Sequence, residues 1–311
     1  MKKNKKILFI GILLIIATAM SLSYYFYKKI NKVKYSPIQV SEDNLKINEK
    51  IERKSEEKKV TNILLLGIDK EELASDTIMV LSIDEKNDKI KLTSILRDSY
   101  INFREDKVNK INYAYHYGGP VESIKVINSN YNLDIKDFIK IDFTGLVQII
   151  DLLGGVEINI NKEEIQYINS GLSKRDKNHK HKPVTTPGLQ LLNGTEALAY
   201  SRIRSIDSDF NRTNRQRNVI SSIYNKLKTS NSIQYPQLVS TATSYVETSL
   251  NSNELMILLN KILLMKDKNI KELRLPIDGT WQDSTINGVY YLQWDKEQNI
   301  KRLHEFIYGD S

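Results

Sequence analysis

Thr61-Asn62-Ile63-Leu64-Leu65-Leu66-Gly67 is a short, unbroken apolar run closed by glycine. Runs of this length without polar alternation are strands covered on both faces. Thr77-Ile78-Met79-Val80-Leu81-Ser82-Ile83 is a second such run, and Ile90-Lys91-Leu92-Thr93-Ser94-Ile95 alternates as a third. The polar stretch 84–89 between the last two is a hairpin connection, so those strands are expected to pair antiparallel. Further along, the spacing predicts helices over 120–131, opened by Pro120, and over 144–153, capped by Thr144 and stopped by the left-handed potential of Gly154-Gly155. Residues 155–160 alternate as a strand, and 189–200 read as a helix or helical turn feeding a short strand. Helices follow over 212–228, 252–266 and 295–308. Strands and helices interleave, which gives an α/β class with a sheet covered by helices.

Charge narrows the function. The formal net charge of +8 belongs to one end: residues 1–34 carry eight lysines and no acid, and the remainder holds 38 basic and 38 acidic residues. A formally neutral body offers no basic face for nucleic acid. Residues 7–27 are uncharged and mostly apolar, a length of about 31 Å as a helix, enough to cross a bilayer. Tyr24, Tyr25 and Tyr27 lie at its outer end, as in an aromatic belt. Ala17-Thr18-Ala19 resembles a cleavage site, but the apolar run continues past it, which favours an uncleaved anchor. Four lysines flank each side, and the N-terminal amine tips orientation weakly toward an internal N-terminus. The expected organisation is a stub and transmembrane anchor over 1–27, a charged stalk over 28–59, a catalytic domain over 60–230, and a C-terminal extension over 231–311 packed on or beside it. The chain has no cysteine, and its four histidines lack zinc-site spacing.

Five of the eleven arginines fall between residues 201 and 217. Arginine grips phosphate oxygens with a planar fork, where lysine offers a point charge. On the helix from Arg212, the residues Arg212, Arg215 and Gln216 share the side of Val219 and Ile223, the side expected to be buried, and Arg217 points away. A helix start is already partly positive, so inward arginines there call for an anion. The competing structural reading is that Asp207 or Asp209 caps the helix and pairs with Arg212. Asp69 and Asp76 sit at the facing ends of the first two strands, and Arg97-Asp98 follows the third. Paired carboxylates beside phosphate suit Mg²⁺ or Mn²⁺. Two aspartates, a strand-end arginine and an arginine-rich helix start together suit phosphoryl transfer or pyrophosphate cleavage. No Walker, GxGxxG or GxSxG motif occurs.

Taken in order, these strings resemble the LytR–CpsA–Psr family: Asn62 to Asp69, Ser75-Asp76-Thr77-Ile78-Met79, Ser94 to Asp98, Lys110 to Tyr115, Gly118-Gly119-Pro120, Asp151 to Glu157, Leu192 to Arg204, and Arg212 to Arg217. The resemblance spans about 60–230. It implies a central mixed β-sheet sandwiched by helices, with a hydrophobic tunnel for a polyprenyl chain. It implies a membrane-anchored phosphotransferase that moves a glycopolymer, such as wall teichoic acid or capsule, from an undecaprenyl-pyrophosphate carrier to peptidoglycan, leaving a phosphodiester. It places the N-terminus in the cytoplasm and the catalytic domain outside the cell. Asp69 and Asp76 match the family's metal-associated aspartates, and Arg97 with Asp98 beside it matches the catalytic arginine. Lys110, Arg202, Arg204, Arg212 and Gln216 match pyrophosphate positions, with Arg215 added from the helix face. Asn211 stands where the family often has glycine, and Ile68 and Leu96 replace serine and proline. A polyprenyl-pyrophosphate hydrolase and a non-catalytic envelope regulator are the alternative readings.

Overall fold

A computed structural model describes residues 34–39, 42–69, 74–104, 107–175, 182–204, 206, 209–229, 244–267 and 269–309. Seven strands form the central sheet: β1 (Lys34–Tyr35), β2 (Val60–Asp69), β3 (Ala74–Asp84), β4 (Lys89–Ile95), β7 (Asp137–Asp142), β10 (Val246–Thr248) and β11 (Lys271–Leu275). Their order is β1-β10-β7-β2-β3-β4-β11. The three apolar runs are the antiparallel centre, β2 against β3 and β3 against β4. β7 lies parallel to β2 and β11 parallel to β4, so the sheet is mixed. Three two-stranded ribbons stand apart: β5 (Tyr100–Arg104) with β6 (Lys107–Lys110), β8 (Val156–Ile160) with β9 (Gly188–Leu192), and β12 (Trp281–Ile286) with β13 (Val289–Trp294).

The described helices are α1 (Glu49–Lys58), α2 (Tyr113–Tyr131), α3 (Phe143–Leu152), α4 (Lys162–Arg175), α5 (Gly194–Ser201), α6 (Asp209–Thr229), α7 (Ser252–Leu264) and α8 (Lys296–Tyr308). They cover both faces of the sheet, which is why β2 reads as an unbroken apolar run. Leu64, Leu66 and Ile68 face a core built with Ile124 and Ile127 of α2 and Leu303 and Ile307 of α8. Ile63 turns the other way, toward Tyr224 of α6 and Leu258 of α7. A third core joins α3, α4, α5, β8 and α6.

Several expectations are corrected. α3 is capped by Asp142, whose side chain accepts from the Gly145 N–H, and not by Thr144. α2 begins at Tyr113, breaks where Gly118 and Gly119 leave helical geometry, and resumes at Pro120. In 189–200 the order is reversed: the strand β9 precedes the helix α5. Asn193 and Glu196 close a reciprocal capping box at that helix start. The stretch 42–58, expected within a stalk, lies against the fold. Leu45 is buried, Ile47 and Ile51 pack on the main core, and the Ser55 hydroxyl is 3.1 Å from that of Tyr308. Within α1, Ile51 and Ser55 are four apart and share the face turned to the fold.

The expected single-pass placement, with a cytoplasmic N-terminus and an extracellular catalytic domain, is also corrected. Among the described residues no helix is long and apolar enough to cross a membrane. Segment 7–27, which carried that expectation, lies outside them.

Candidate functional site

β2 and β3 are joined so that Ile68 faces Ser75 and Asp69 faces Ala74, with a bulge between Gly67 and Ile68. A bulge re-aims the strand end. Asp76 is thereby set at the rim of a cavity of about 290 Å³ between the sheet and helices α3 and α6. The cavity wall is aliphatic and aromatic for most of its extent, including Leu65, Met79, Ile141, Leu146, Val219 and Ile223. At one end it turns polar, where Asp76, Arg202, Arg204, Arg212 and Gln216 meet.

Arg97 follows directly on β4 and Leu96. Its Nη1 donates to Asp76 Oδ1 at 2.6 Å, and Arg204 Nη2 donates to the same oxygen at 3.3 Å. Arg97 Nε lies 3.4 Å from Asp98 and 3.5 Å from Asp209. Asp98 in turn holds Lys110 at 2.7 Å. Burial weakens the proton affinity of Arg97, but Asp98, Asp209 and Asp76 outweigh it and raise its pKa. Arg202 lays its guanidinium over Phe143, 4.4 Å from the ring centroid.

Arg212 is the outlier. It is 1% exposed, and none of its three guanidinium nitrogens makes a hydrogen bond among the described residues. Its Nη2 sits 3.2 Å from Asp209, close enough for an ion pair but misaligned for hydrogen bonding. Burial pushes its pKa down to about 10; Asp209 and Asp76 oppose the fall, and Arg97 and Arg204 deepen it. A buried cation with unused donors is an electrostatic debt that a bound anion removes.

The structure therefore gathers Asp76, Arg97, Asp98, Lys110, Arg202, Arg204, Arg212 and Gln216 around one end of the cavity. Asp69 ends β2 at the same hairpin, and its side chain lies outside the described atoms. Arg215 is placed elsewhere: it donates to Glu164 at 2.7 Å and to the Ile203 carbonyl, away from the cavity lining. Arg217, expected to point outward, is buried against Glu272 of β11 at 2.9 Å. α6 is flanked on two sides, by α4 and by β11, and each flank supplies one acid. Asp209, which the sequence offers only as a possible cap and partner of Arg212, bridges Arg97 and Arg212. Its three-residue spacing from Arg212 was the available signal. Asp207, the other capping candidate, lies outside the described residues. Among the described residues no group of three or more histidine or acidic side chains could hold a metal ion.

The family model described as LytR_cpsA_psr matches residues 22–305. The chain is 31% identical to "Polyisoprenyl-teichoic acid--peptidoglycan teichoic acid transferase TagU" of Oceanobacillus iheyensis, covering 96% of this chain and 90% of that protein. It is 30% identical to "Regulatory protein MsrR" of Staphylococcus aureus, over 80% of this chain and 75% of that one. Among solved structures, TagT bound to LI-WTA superposes with a TM-score of 0.66 at 28% identity, over 81% of this chain and 91% of TagT. TagT with bound octaprenyl pyrophosphate lipid superposes at 0.62 and 26% identity, with the same coverage.

Proposed function

We propose a function from one premise: the chain belongs to the LytR–CpsA–Psr family. It is a transferase that moves a phosphoglycan from a polyprenyl pyrophosphate, the undecaprenyl form, to a hydroxyl of peptidoglycan. The polymer is of the teichoic acid type. One observation carries this reading: an apolar cavity ends at a buried arginine whose three guanidinium nitrogens make no hydrogen bond among the described residues. An isoprenoid tail matches the wall and a diphosphate matches the end. The names of the TagU relatives and the lipid bound to TagT support both halves.

In the reaction the acceptor oxygen attacks the phosphorus that bears the glycan. The P–O–P bond breaks, and polyprenyl monophosphate leaves with the bond's electron pair. Arg202, Arg204 and Arg212 neutralise the charge that grows on the leaving phosphate, and Arg97 holds the phosphoryl group. The hydroxyl proton passes to a carboxylate. Asp98 and Asp76 are the candidates: Asp98 pairs with Lys110 and Arg97, and Asp76 accepts through Oδ1 from Arg97 and Arg204. Arginine is a poor base, with a pKa above about 12.

Mg²⁺, or Mn²⁺ in its place, would be held by Asp76, a hard carboxylate at the phosphate end, with Asp69 as the second carboxylate expected from the sequence. With no third acidic ligand among the described residues, phosphate oxygens would complete the shell. When bound, the ion would offset phosphate charge.

The test is transfer of a glycan from a short-chain polyprenyl pyrophosphate donor to a peptidoglycan acceptor by the purified chain. Arg97→Ala is expected to lower the rate by about 10²–10³-fold. Unchanged activity in that variant refutes the assignment. Release of free phosphoglycan with acceptor in excess would mark the protein as a hydrolase instead.

A further inference from the structure

A second cavity, of about 590 Å³, lies where the β12–β13 ribbon meets the start of α8. It shares no lining residue with the apolar cavity. Its wall carries rings and neutral amides: Tyr100, Trp281, Trp294, Gln282, Gln293 and Gln298. The chain has two tryptophans, and both are here. They face each other across the ribbon as a register pair. Each is held from behind. Trp281 packs on Phe210 at 4.3 Å between centroids. Trp294 stacks on Tyr131 at 4.8 Å, and its indole N–H donates to the Tyr100 carbonyl at 2.8 Å. Rings fixed in this way need little further ordering to bind a ligand. Gln282 Nε2 donates to Gln293 Oε1 at 3.0 Å. A primary amide has two N–H groups and a two-lone-pair carbonyl, so this bond leaves donors and acceptors on the pair.

The cavity is fastened to the reaction site by four contacts. The Leu292 N–H of β13 donates to the Asp98 carbonyl at 2.9 Å, and Ser99 bridges Leu292. Tyr100, on the cavity wall, is two residues past Asp98, roughly 7 Å of extended chain. Phe210, which backs Trp281, directly follows Asp209, the partner of Arg97 and Arg212. Lys110, bound to Asp98, lies 5.5 Å from the Tyr290 ring centroid. The ring-and-amide cavity thus reaches the arginine cluster from the side of Asp98 and Asp209, and the apolar cavity reaches it from the side of Asp76 and Arg212.

We propose that this second cavity binds the accepting carbohydrate, an oligosaccharide of N-acetylated hexosamines, and delivers its hydroxyl toward Asp98. A pyranose ring has an apolar C–H face and a polar rim, and an acetamido group pairs with a primary amide. The lining carries both kinds of group, rings at Tyr100, Trp281 and Trp294 and primary amides at Gln282, Gln293 and Gln298. The charged groups of the lining are Asp295 and Lys296, one of each sign, so the cavity favours a neutral ligand. The proposal rests on the transferase reading for the ligand's role as acceptor, and it is tested apart from it.

The probe is chitotetraose added to the full chain, read by intrinsic tryptophan emission, which reports on this cavity alone. A saturable change is expected at millimolar concentrations. Gln282→Ala/Gln293→Ala is expected to weaken it about tenfold. Cellotetraose, which lacks acetamido groups, is expected to bind more weakly than chitotetraose. Gln282→Ala, which alters one exposed side chain, is measured alongside and is expected to weaken binding even if the double variant loses stability. No saturable change, or an equal response in the variants, overturns the proposal. A glycan response without transfer would refute the transferase reading and keep the cavity. Transfer without a glycan response would remove the cavity from the acceptor's path.

Discussion

Arg212 holds a charge that folding alone gives no reason to bury. Its neighbours at the site include two other arginines that lower its proton affinity, and its ion pair with Asp209 is misaligned. A methionine of similar length would fill the same space without a charge to desolvate. Replacing a buried charge with an apolar residue of matching volume is stabilising where no partner is left buried and unpaired, and Asp209 is 31% exposed and keeps Arg97. Arg212→Met is therefore expected to raise unfolding stability by about 1–3 kcal/mol while abolishing binding of a short polyprenyl pyrophosphate. Urea unfolding and a donor-binding titration check the two halves. A destabilised variant would mean that the arginine is structural. The sequence exposes this residue because an inward cation at a helix start conflicts with the helix dipole. It does not separate Arg212 from Arg215. The acid that claims Arg215, Glu164, is 51 residues away, and the acid that claims Arg217, Glu272, is 55 away. Neither pairing has a local signature.

At the level of elements, the long apolar strands and the capped or glycine-stopped helices are readable because their signals are contiguous. Gly154 and Gly155 both adopt positive φ, 76° and 96°, as their position after α3 requires. β9 is harder to see. Leu189 and Leu191 are exposed at 66% and 58%, so its apolar alternation points outward and mimics a helix seed. The capping box at Asn193 and Glu196 was the stronger mark of the boundary. Between them lies Gly194, where α5 crosses α3. A Cβ there would lie 2.2 Å from the Val147 carbonyl oxygen, which is helix backbone. Gly194→Ala must push the two helices apart, at a cost of about 1–3 kcal/mol. α5 ends at Ser201, immediately before Arg202, so the shift should also weaken donor binding. A lowered urea midpoint together with a raised donor Kd is the expected result. A lowered midpoint with unchanged donor affinity would show that the arginines are positioned independently of that helix crossing.

Across the whole molecule, the sheet is closed by parts far apart in sequence, and that arrangement is the least legible. β10 has three residues and slots between β1 and β7, and β11 completes the edge beside β4. No local pattern of so few residues specifies such a partner. One buried pair ties the ends together. Lys91 Nζ on β4 donates to Asp84 at 2.7 Å and to the Ile307 carbonyl near the end of α8 at 2.6 Å. Burial works to raise the Asp84 pKa, but hydrogen bonds from Lys91 and Asn87 prevail and hold it below the ordinary carboxylate value. A folded-state pKa below the unfolded one contributes stability that is complete at neutral pH and is lost as pH falls through the folded value. In Lys91→Met the cation is gone while burial and the Asn87 hydrogen bonds remain, so the folded-state pKa rises from its value in the parent. The stability that ionised Asp84 contributes at neutral pH shrinks accordingly, and the difference from the parent fades as Asp84 takes up a proton in both proteins. The variant is expected to be about 3–5 kcal/mol less stable than the parent at pH 7. That gap should narrow as pH falls below about 4. Urea unfolding of both proteins across that range measures it. A gap independent of pH would place the stabilisation in the Ile307 contact and not in the ion pair.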